Sequence, residues 1–179
     1  MGKIAVILIL GTALLMGAGL WFSQTRGYYA PIDGPVTLTL ETDGGLITLP
    51  ARDVTAIAST SSPLGFRACF THDLNLDTAR ADLGLSPRPT PAPTIAPPSF
   101  TCFDAGKVDA MLADGTATAF TAYKNAAFGV DRVVALTADG RGFAWHELNA
   151  CGKKAYDGTP VGEECPARDD FEPLTEGSL

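Results

Sequence analysis

The chain opens with an unbroken apolar run, and the rest consists of short alternating segments separated by turn residues. Residues 4–22 read IAVILILGTALLMGAGLWF, without a single charge. Because about 20 apolar residues span a bilayer core, this run predicts a single transmembrane helix that acts as an uncleaved signal anchor. Lys3 precedes the run, and the aromatic residues Trp21, Tyr28 and Tyr29 cluster at its far end, as at a membrane interface. The predicted orientation is N-in, with residues 1–3 in the cytoplasm.

A cleaved signal peptide is the alternative interpretation of this segment. The apolar region of a signal peptide usually has only about 7–15 residues and ends at a small-x-small site. Here the run is longer and ends in the bulky residues Leu20, Trp21 and Phe22. The sequence therefore favours retention of the anchor.

Alternation of apolar and polar residues predicts a mainly antiparallel sheet. Residues 36–41 and 46–49 flank an Asp-Gly-Gly turn, and residues 130–136 and 142–148 flank an Asp-Gly turn. Such turns between alternating segments indicate β-hairpins. The hairpin around Asp139 is the clearest in the chain.

Other periodic segments add two strands and two helices. The strands are predicted at residues 65–70 and 116–123, and the helices at 75–83 and 105–112. Residues 53–58 fit either a strand or a short helix. Asp104 is a suitable N-cap for the second helix. The predicted fold class is therefore α+β: a transmembrane helix followed by a small domain with a mainly antiparallel sheet and one or two helices.

Composition shifts define the domain boundaries. Residues 23–35 are predicted to be a linker, residues 36–165 the folded domain, and residues 166–179 an acidic, flexible tail. Within the domain, residues 86–98 are rich in proline and cannot join a helix or a central strand. They are expected to form an extended surface loop, with a motif for a partner's aromatic groove as the alternative.

The four cysteines indicate an oxidising compartment. Cys69, Cys102, Cys151 and Cys165 contain no C-x-x-C pair, which argues against a thioredoxin-like motif or a zinc site. An even number in an exported domain indicates two structural disulfides, for which three connectivities exist. Sequence-local pairing is predicted, with Cys69 bonded to Cys102 and Cys151 to Cys165. The second bridge would close a glycine-rich loop that lacks apolar periodicity.

Charge limits the classes of partner. Residues 31–179 hold 11 basic and 20 acidic side chains, a formal charge of −9. This acidity argues against nucleic acid, whose phosphates require Lys and Arg, and against docking on anionic lipid through a basic patch.

Candidate ligand or contact residues are few. Trp145, His146 and Glu147 form the densest cluster, and His72 is the only other histidine. In a strand Trp145 and Glu147 share one face while His146 points to the other, which weakens a general-base pair. No catalytic residue, metal site or cofactor is predicted. A hydrolase nucleophile elbow and a nucleotide-binding loop are also missing, which argues against a protein or sensor kinase.

Two stretches, GVDRVVALTADGRGFAWHELN and CGKKAYDGTPVGEEC, carry a family resemblance. They resemble a family of small membrane-anchored proteins of alphaproteobacteria, some of which bear the label histidine kinase. The resemblance implies a bacterial inner-membrane protein whose domain faces the periplasm, and it supplies no activity or site residue. The kinase label requires motifs that this chain lacks.

The sequence leaves two classes of function open. The first is a non-enzymatic periplasmic module that binds or stabilises a membrane or envelope partner, for instance during complex assembly. The alternative is a small enzyme or a ligand- or metal-binding domain with a pocket near Trp145 and His146.

Overall fold

Three α-helices and eight β-strands make up the part of the chain that the computed structural model describes, residues 2–151, 154–159, 161–162 and 165–174. In chain order the elements are α1 (Gly2–Phe22), β1 (Tyr29–Pro31), β2 (Thr39–Thr42), β3 (Gly45–Thr48), β4 (Ala51–Ser59), β5 (Arg67–His72), α2 (Leu76–Leu83), α3 (Ala105–Ala113), β6 (Ala117–Ala127), β7 (Val130–Thr137) and β8 (Arg141–Leu148). The α+β class and the mainly antiparallel sheet predicted from the sequence are confirmed.

Helix α1 is apolar throughout, and none of its residues is buried against the rest of the protein. A π-helical turn, Ser23–Gly27, continues it directly. Together they are long and apolar enough to cross a membrane, a test of length and composition that a signal sequence also passes. The predicted apolar helix is thus present at the N-terminus.

The junction between this helix and the sheet is short. Strand β1 starts at Tyr29, so that only Tyr28 separates it from the end of the π-helical turn. Strand β1 pairs with β4, and the N–H of Ile32 then donates to the carbonyl of Ala56 at 3.0 Å. The linker predicted over residues 23–35 is therefore replaced, over most of its length, by a helical turn and an edge strand.

Six strands form one antiparallel sheet in the order β1-β4-β5-β8-β7-β6. Strands β5 and β8 lie at its centre, and β8 forms a hairpin with β7, in which Val133 pairs with Trp145. The turn of this hairpin contains Gly140 at a φ of 85°, a conformation that glycine adopts without strain. The segment that fitted helix or strand in the sequence is strand β4.

One face of the sheet, here called the hairpin face, is covered by the β2–β3 hairpin and by α2. The packing on this face is mostly apolar. Its core comprises Leu38, Leu40, Leu49, Phe66, Phe70, Leu85, Phe120, Val134 and Leu136 together with several alanines. The face is covered by regular elements whose apolar residues point inward.

The opposite face, here called the clasp face, is covered by α3 and by the proline-rich segment of residues 86–98. Its core contains Phe100, Phe103, Phe143 and Trp145. Helix α3 starts where Asp104 caps it, with a side-chain oxygen accepting from the N–H of Lys107 at 3.2 Å. The predicted N-cap is confirmed.

Both predicted disulfides are present, and all four cysteines are bonded. The bridge between Cys69 and Cys102 joins central strand β5 to the segment between the proline-rich residues and α3. The bridge between Cys151 and Cys165 closes the loop after β8. The first bridge therefore links the clasp face to its cover.

The outer edge of β6 is occupied by other parts of the chain. The carbonyl oxygens of Ala119 and Ala126 accept hydrogen bonds from the backbone N–H groups of Arg88, at 2.8 Å, and Leu174, at 2.9 Å. These two contacts fix the start of the proline-rich segment and part of the C-terminal tail against the sheet.

The described part of the C-terminal tail, which the sequence predicts to be flexible, makes further contacts. The ring of Phe171 lies edge-on to the ring of Phe128, with centroids 5.6 Å apart. The guanidinium of Arg168 lies over the same Phe128 ring at 4.3 Å. Residues 175–179 lie outside the described residues.

Candidate functional site

Strand β8 sends the clustered candidate residues to opposite faces of the sheet. Trp145 and Glu147 lie on the clasp face, where the indole N–H of Trp145 donates to Glu147 at 3.0 Å. His146 lies on the hairpin face, with its ring stacked on that of Phe66 at a centroid distance of 4.7 Å. The three residues therefore do not form a single site.

Both ring nitrogens of His146 are engaged. The Nε of Arg132 donates to His146 Nε2 at 3.1 Å, so that Nε2 is the acceptor and Nδ1 carries the hydrogen. The Nδ1–H then donates to the carbonyl oxygen of Pro63 at 2.6 Å. Burial and the nearby charge of Arg132 lower the pKa of His146 from 6.5 to about 3. At neutral pH His146 is therefore an uncharged structural residue.

Arg132 is a buried cation on the hairpin face. Its guanidinium lies 3.8 Å from the centroid of the Phe66 ring, and its Nη1 donates to the carbonyl of Thr37 at 2.9 Å. A cavity of about 220 Å³ adjoins Arg132 and His146, with Ala127 and Leu174 among its lining residues. The sequence suggested a pocket near Trp145 and His146, and of these two residues only His146 lines this cavity.

On the clasp face Glu147 forms the centre of a buried polar network. Its Oε1 accepts from the Nε of Arg88 at 2.5 Å. Its Oε2 accepts from the backbone N–H of Ala92 at 2.9 Å, in addition to the indole of Trp145. Each oxygen of this carboxylate therefore has a donor, and two of the donors belong to the proline-rich segment.

Arg88 connects Glu147 to a second buried carboxylate. The Nη1 of Arg88 lies 3.1 Å from Asp131 Oδ2. The other oxygen of Asp131 accepts from the backbone N–H of Asn125 at 3.0 Å and from the side-chain amide of Asn149 at 2.8 Å. A single guanidinium thus bridges two carboxylates, both of which are almost fully buried.

Arg67 holds the other half of the proline-rich segment. Its guanidinium donates to the carbonyl oxygens of Thr94 at 2.8 Å, Ile95 at 3.0 Å and Leu64 at 2.7 Å. Burial lowers the pKa of Arg67 to about 10, so that it stays charged at neutral pH. The roles of Arg67, Arg88 and Asp131 were not predicted from the sequence. In the sequence, the signal for Arg88 is its position as the only arginine within the proline-rich residues 86–98.

His72 lies at the opposite end of the sheet from His146. Its backbone N–H donates to the carbonyl of Gly140, and at about 3.3 Å per residue along β8 this places it about 20 Å from His146. The side chain is buried, which lowers its pKa, and its Nδ1 accepts from the N–H of Leu74 at 3.2 Å. The two histidines therefore cannot share a ligand.

Two further features lie near His72. Asp73 is exposed and forms an ion pair with Arg52. A cavity of about 590 Å³ is lined by His72, Asp73, Arg80 and Thr118, among others. Within the described part of the chain no group of three or more His, Cys, Asp or Glu side chains could hold a metal ion.

The folded domain of the chain matches a known protein family. No curated protein matches the chain, and no solved structure matches it either. The model of a family of unknown function, DUF6446, matches residues 36–166. The match starts after the apolar helix and includes β2 to β8 and both disulfides. Since it covers most of the chain, the protein belongs to the DUF6446 family.

Proposed function

We propose that the protein is a single-pass, membrane-anchored contact module that binds or stabilises a membrane or envelope partner without catalysing a reaction. Its N-terminus would lie in the cytoplasm and its disulfide-bonded domain in the periplasm, on a bacterial inner membrane. The observation that carries this proposal is the direct junction between the apolar helix and the sheet, with Tyr28 alone between the π-helical turn and β1.

This junction limits where the domain can be. A flexible linker of a dozen residues would let a domain range over tens of ångströms. In this protein the chain leaves the helix at Gly27 and is paired in the sheet from Tyr29 onward. An anchored domain of this kind stays beside the bilayer, where a membrane partner would also be.

The disulfides support a location outside the cytoplasm. Cys69–Cys102 and Cys151–Cys165 are both formed, and such bridges persist in oxidising compartments. In a bacterium with an N-in anchor, that compartment is the periplasm.

The interior chemistry favours contact over catalysis. His146 and Glu147 use their polar atoms to hold other parts of the fold, and Trp145 donates to Glu147. Groups engaged in this way are poorly suited to bind or transform a substrate.

The test inserts a flexible Gly-Ser linker between Gly27 and Tyr28 and measures capture of a membrane partner by cross-linking in native membranes. We expect stoichiometric capture with the unmodified chain and its loss with the insertion. The same linker added after Leu179 is the matched control and should leave capture unchanged. Equal capture by all three proteins would contradict the proposal.

Topology is tested separately. Alkaline phosphatase fused after Leu179 should be active, because the enzyme needs an oxidising compartment for its own disulfides. An inactive, stably produced fusion would rule out the periplasmic location.

A ligand-binding domain is the second candidate, favoured by the cavity of about 220 Å³ beside His146 and Arg132. The substitution Ala127→Phe would fill it from the rim. Loss of biological function with an intact fold and intact partner capture would favour this alternative over the contact module.

A further inference from the structure

Three exposed side chains with large apolar parts lie at the end of the sheet that adjoins the helix. Tyr28 is 47% exposed, Ile95 83% and Leu148 71%. They come from the helix–sheet junction, the proline-rich segment and the end of β8, and are here called the anchor-end surface. None of the three is charged.

Pairing in the sheet places Tyr28 and Leu148 at the same end. The carbonyl of Tyr28 accepts from the N–H of Thr60, one residue after β4 ends at Ser59. Strand β8 runs in the same direction as β4 and ends at Leu148. Both residues therefore lie where the sheet meets the helix.

Two contacts bring Ile95 to this end. Its carbonyl oxygen accepts from the Nη2 of Arg67, the first residue of β5. The preceding Thr94 lines a cavity of about 310 Å³ together with Gln24 and Tyr28. The proline-rich segment thus passes beside the helical turn that leads out of α1.

The length of this turn sets the height of the sheet above the membrane. The apolar run ends at Phe22, and the π-helical turn Ser23–Gly27 adds at most roughly 8 Å, because a π-helix rises less per residue than the ~1.5 Å of an α-helix. The headgroup region of one leaflet is roughly 5–8 Å thick, since a bilayer of about 40–45 Å has a hydrocarbon core of about 30 Å. Tyr28 therefore comes at the outer boundary of the headgroups.

We propose that the anchor-end surface rests on the bilayer, with Ile95 and Leu148 in contact with the lipid headgroup region. The inference rests on the membrane anchor of the proposed function and names lipid as one of the surfaces that the domain contacts. The contact is apolar and does not depend on anionic lipid, because residues 31–179 carry a formal charge of −9.

The experiment uses the full chain in phosphatidylcholine nanodiscs that contain lipids brominated near the headgroup, which quench nearby tryptophan fluorescence. Ile95→Trp and Leu148→Trp are made separately in a Trp21→Phe background, so that buried Trp145 is the only other indole. Ala138→Trp is the matched control. Ala138 is exposed in the turn before β8. Because Leu148 pairs with Val130, Ala138 lies about 25 Å from Leu148 at about 3.3 Å per residue.

We expect the fluorescence of both the Ile95→Trp and the Leu148→Trp proteins to be quenched well beyond that of the Ala138→Trp protein. Quenching at either position that does not exceed the control overturns the inference. We expect equal quenching in nanodiscs with and without phosphatidylglycerol. Quenching that requires this anionic lipid contradicts an apolar contact.

Native Trp21 separates this inference from the proposed function. The difference in quenching between the unmodified chain and Trp21→Phe reports whether the helix lies in the bilayer. A quenched Trp21 with unquenched surface positions rejects lipid docking and leaves the anchor intact. An unquenched Trp21 rejects the anchor itself, and with it both proposals.

Discussion

The two faces of the sheet are covered in different ways. The hairpin face is covered by a β-hairpin and a helix, which satisfy their own backbone hydrogen bonds and contribute apolar side chains such as Leu40. The clasp face is covered in part by residues 86–98, where prolines lack N–H groups and cannot form a strand ladder. A segment without regular structure can therefore cover a sheet, provided that other interactions hold it in place.

On the clasp face, charged side chains and one disulfide hold the cover against the sheet. On the hairpin face, regular elements and apolar packing do so. Arg88 reaches from the proline-rich segment to Glu147 in the sheet, and Arg67 reaches from strand β5 to the carbonyl of Thr94 in that segment. The bridge of Cys69 to Cys102 adds a covalent link. Moving a charge from water into the protein interior is costly, so each of these two arginines needs its hydrogen-bond partners. The clasp face should therefore be the more sensitive to loss of a single group.

The largest effect is expected from Arg88→Ala. This change leaves Glu147 and Asp131 buried without their shared cation, and breaking a buried pair in this way typically destabilises a protein by about 3–5 kcal/mol. Urea unfolding of the full chain in detergent measures it.

The matched control for Arg88 is Arg52→Ala. Arg52 and its partner Asp73 are both mostly exposed, and an exposed ion pair contributes little to stability. We expect no measurable loss of stability for this variant. A loss as large as that of Arg88→Ala would mean that burial does not explain the sensitivity of the clasp face.

A somewhat smaller effect is expected when Cys69 and Cys102 are both replaced by Ala. The bridge spans a sequence separation of 33, and loops of this size contribute about 3–4 kcal/mol in the chain-entropy model. Hydrogen exchange should also become faster at the amides of Arg88 and Ala92, which are bonded to the sheet. The same replacement of Cys151 and Cys165 should leave those two amides protected, and faster exchange there would contradict a role confined to the clasp face.

An effect that is absent at neutral pH and appears only in acid is expected from His146, a buried titratable side chain on the hairpin face. The folded pKa of His146, about 3, lies below its ordinary value of 6.5, so the unfolded chain takes up a proton between these values that the folded chain does not. Stability is therefore complete above pH 6.5 and falls with decreasing pH by up to about 1.4 kcal/mol per pH unit.

The variant His146→Gln tests this dependence. Its unfolding free energy should fall less steeply between pH 6.5 and 4 than that of the unmodified protein. Buried His72 contributes in the same direction and remains in both proteins. Identical slopes would show that His146 takes up its proton equally in the folded and unfolded proteins, so that folding does not lower its pKa.

Local patterns predicted much of the fold because the responsible interactions are local. The Asp-Gly turn at Gly140 closes the expected hairpin, Asp104 caps the expected helix, and the cysteines pair with their neighbours in sequence. Strand alternation also separated His146 from Trp145 and Glu147 correctly.

Features that depend on distant partners could not be predicted. Strand β1 has three residues, one of them Pro31, and it exists because β4 lies beside it. Arg88 pairs with residues more than 40 positions further along the chain, and Arg67 binds carbonyls in a loop. The sequence marks residues 86–98 as irregular, but their contacts depend on the complete sheet.

The two edge strands of the sheet, β1 and β6, limit edge-to-edge association between copies of the protein. A sheet edge with free backbone groups can pair with the edge of another copy and lead to aggregation, and proteins anchored in a membrane meet at high density in two dimensions. Here one outer strand is very short and contains Pro31, while carbonyls of Ala119 and Ala126 on the other are already engaged by Arg88 and Leu174. Neighbouring copies therefore find little edge to extend, and domains held side by side by the proposed membrane anchor would not join into a continuous β-structure.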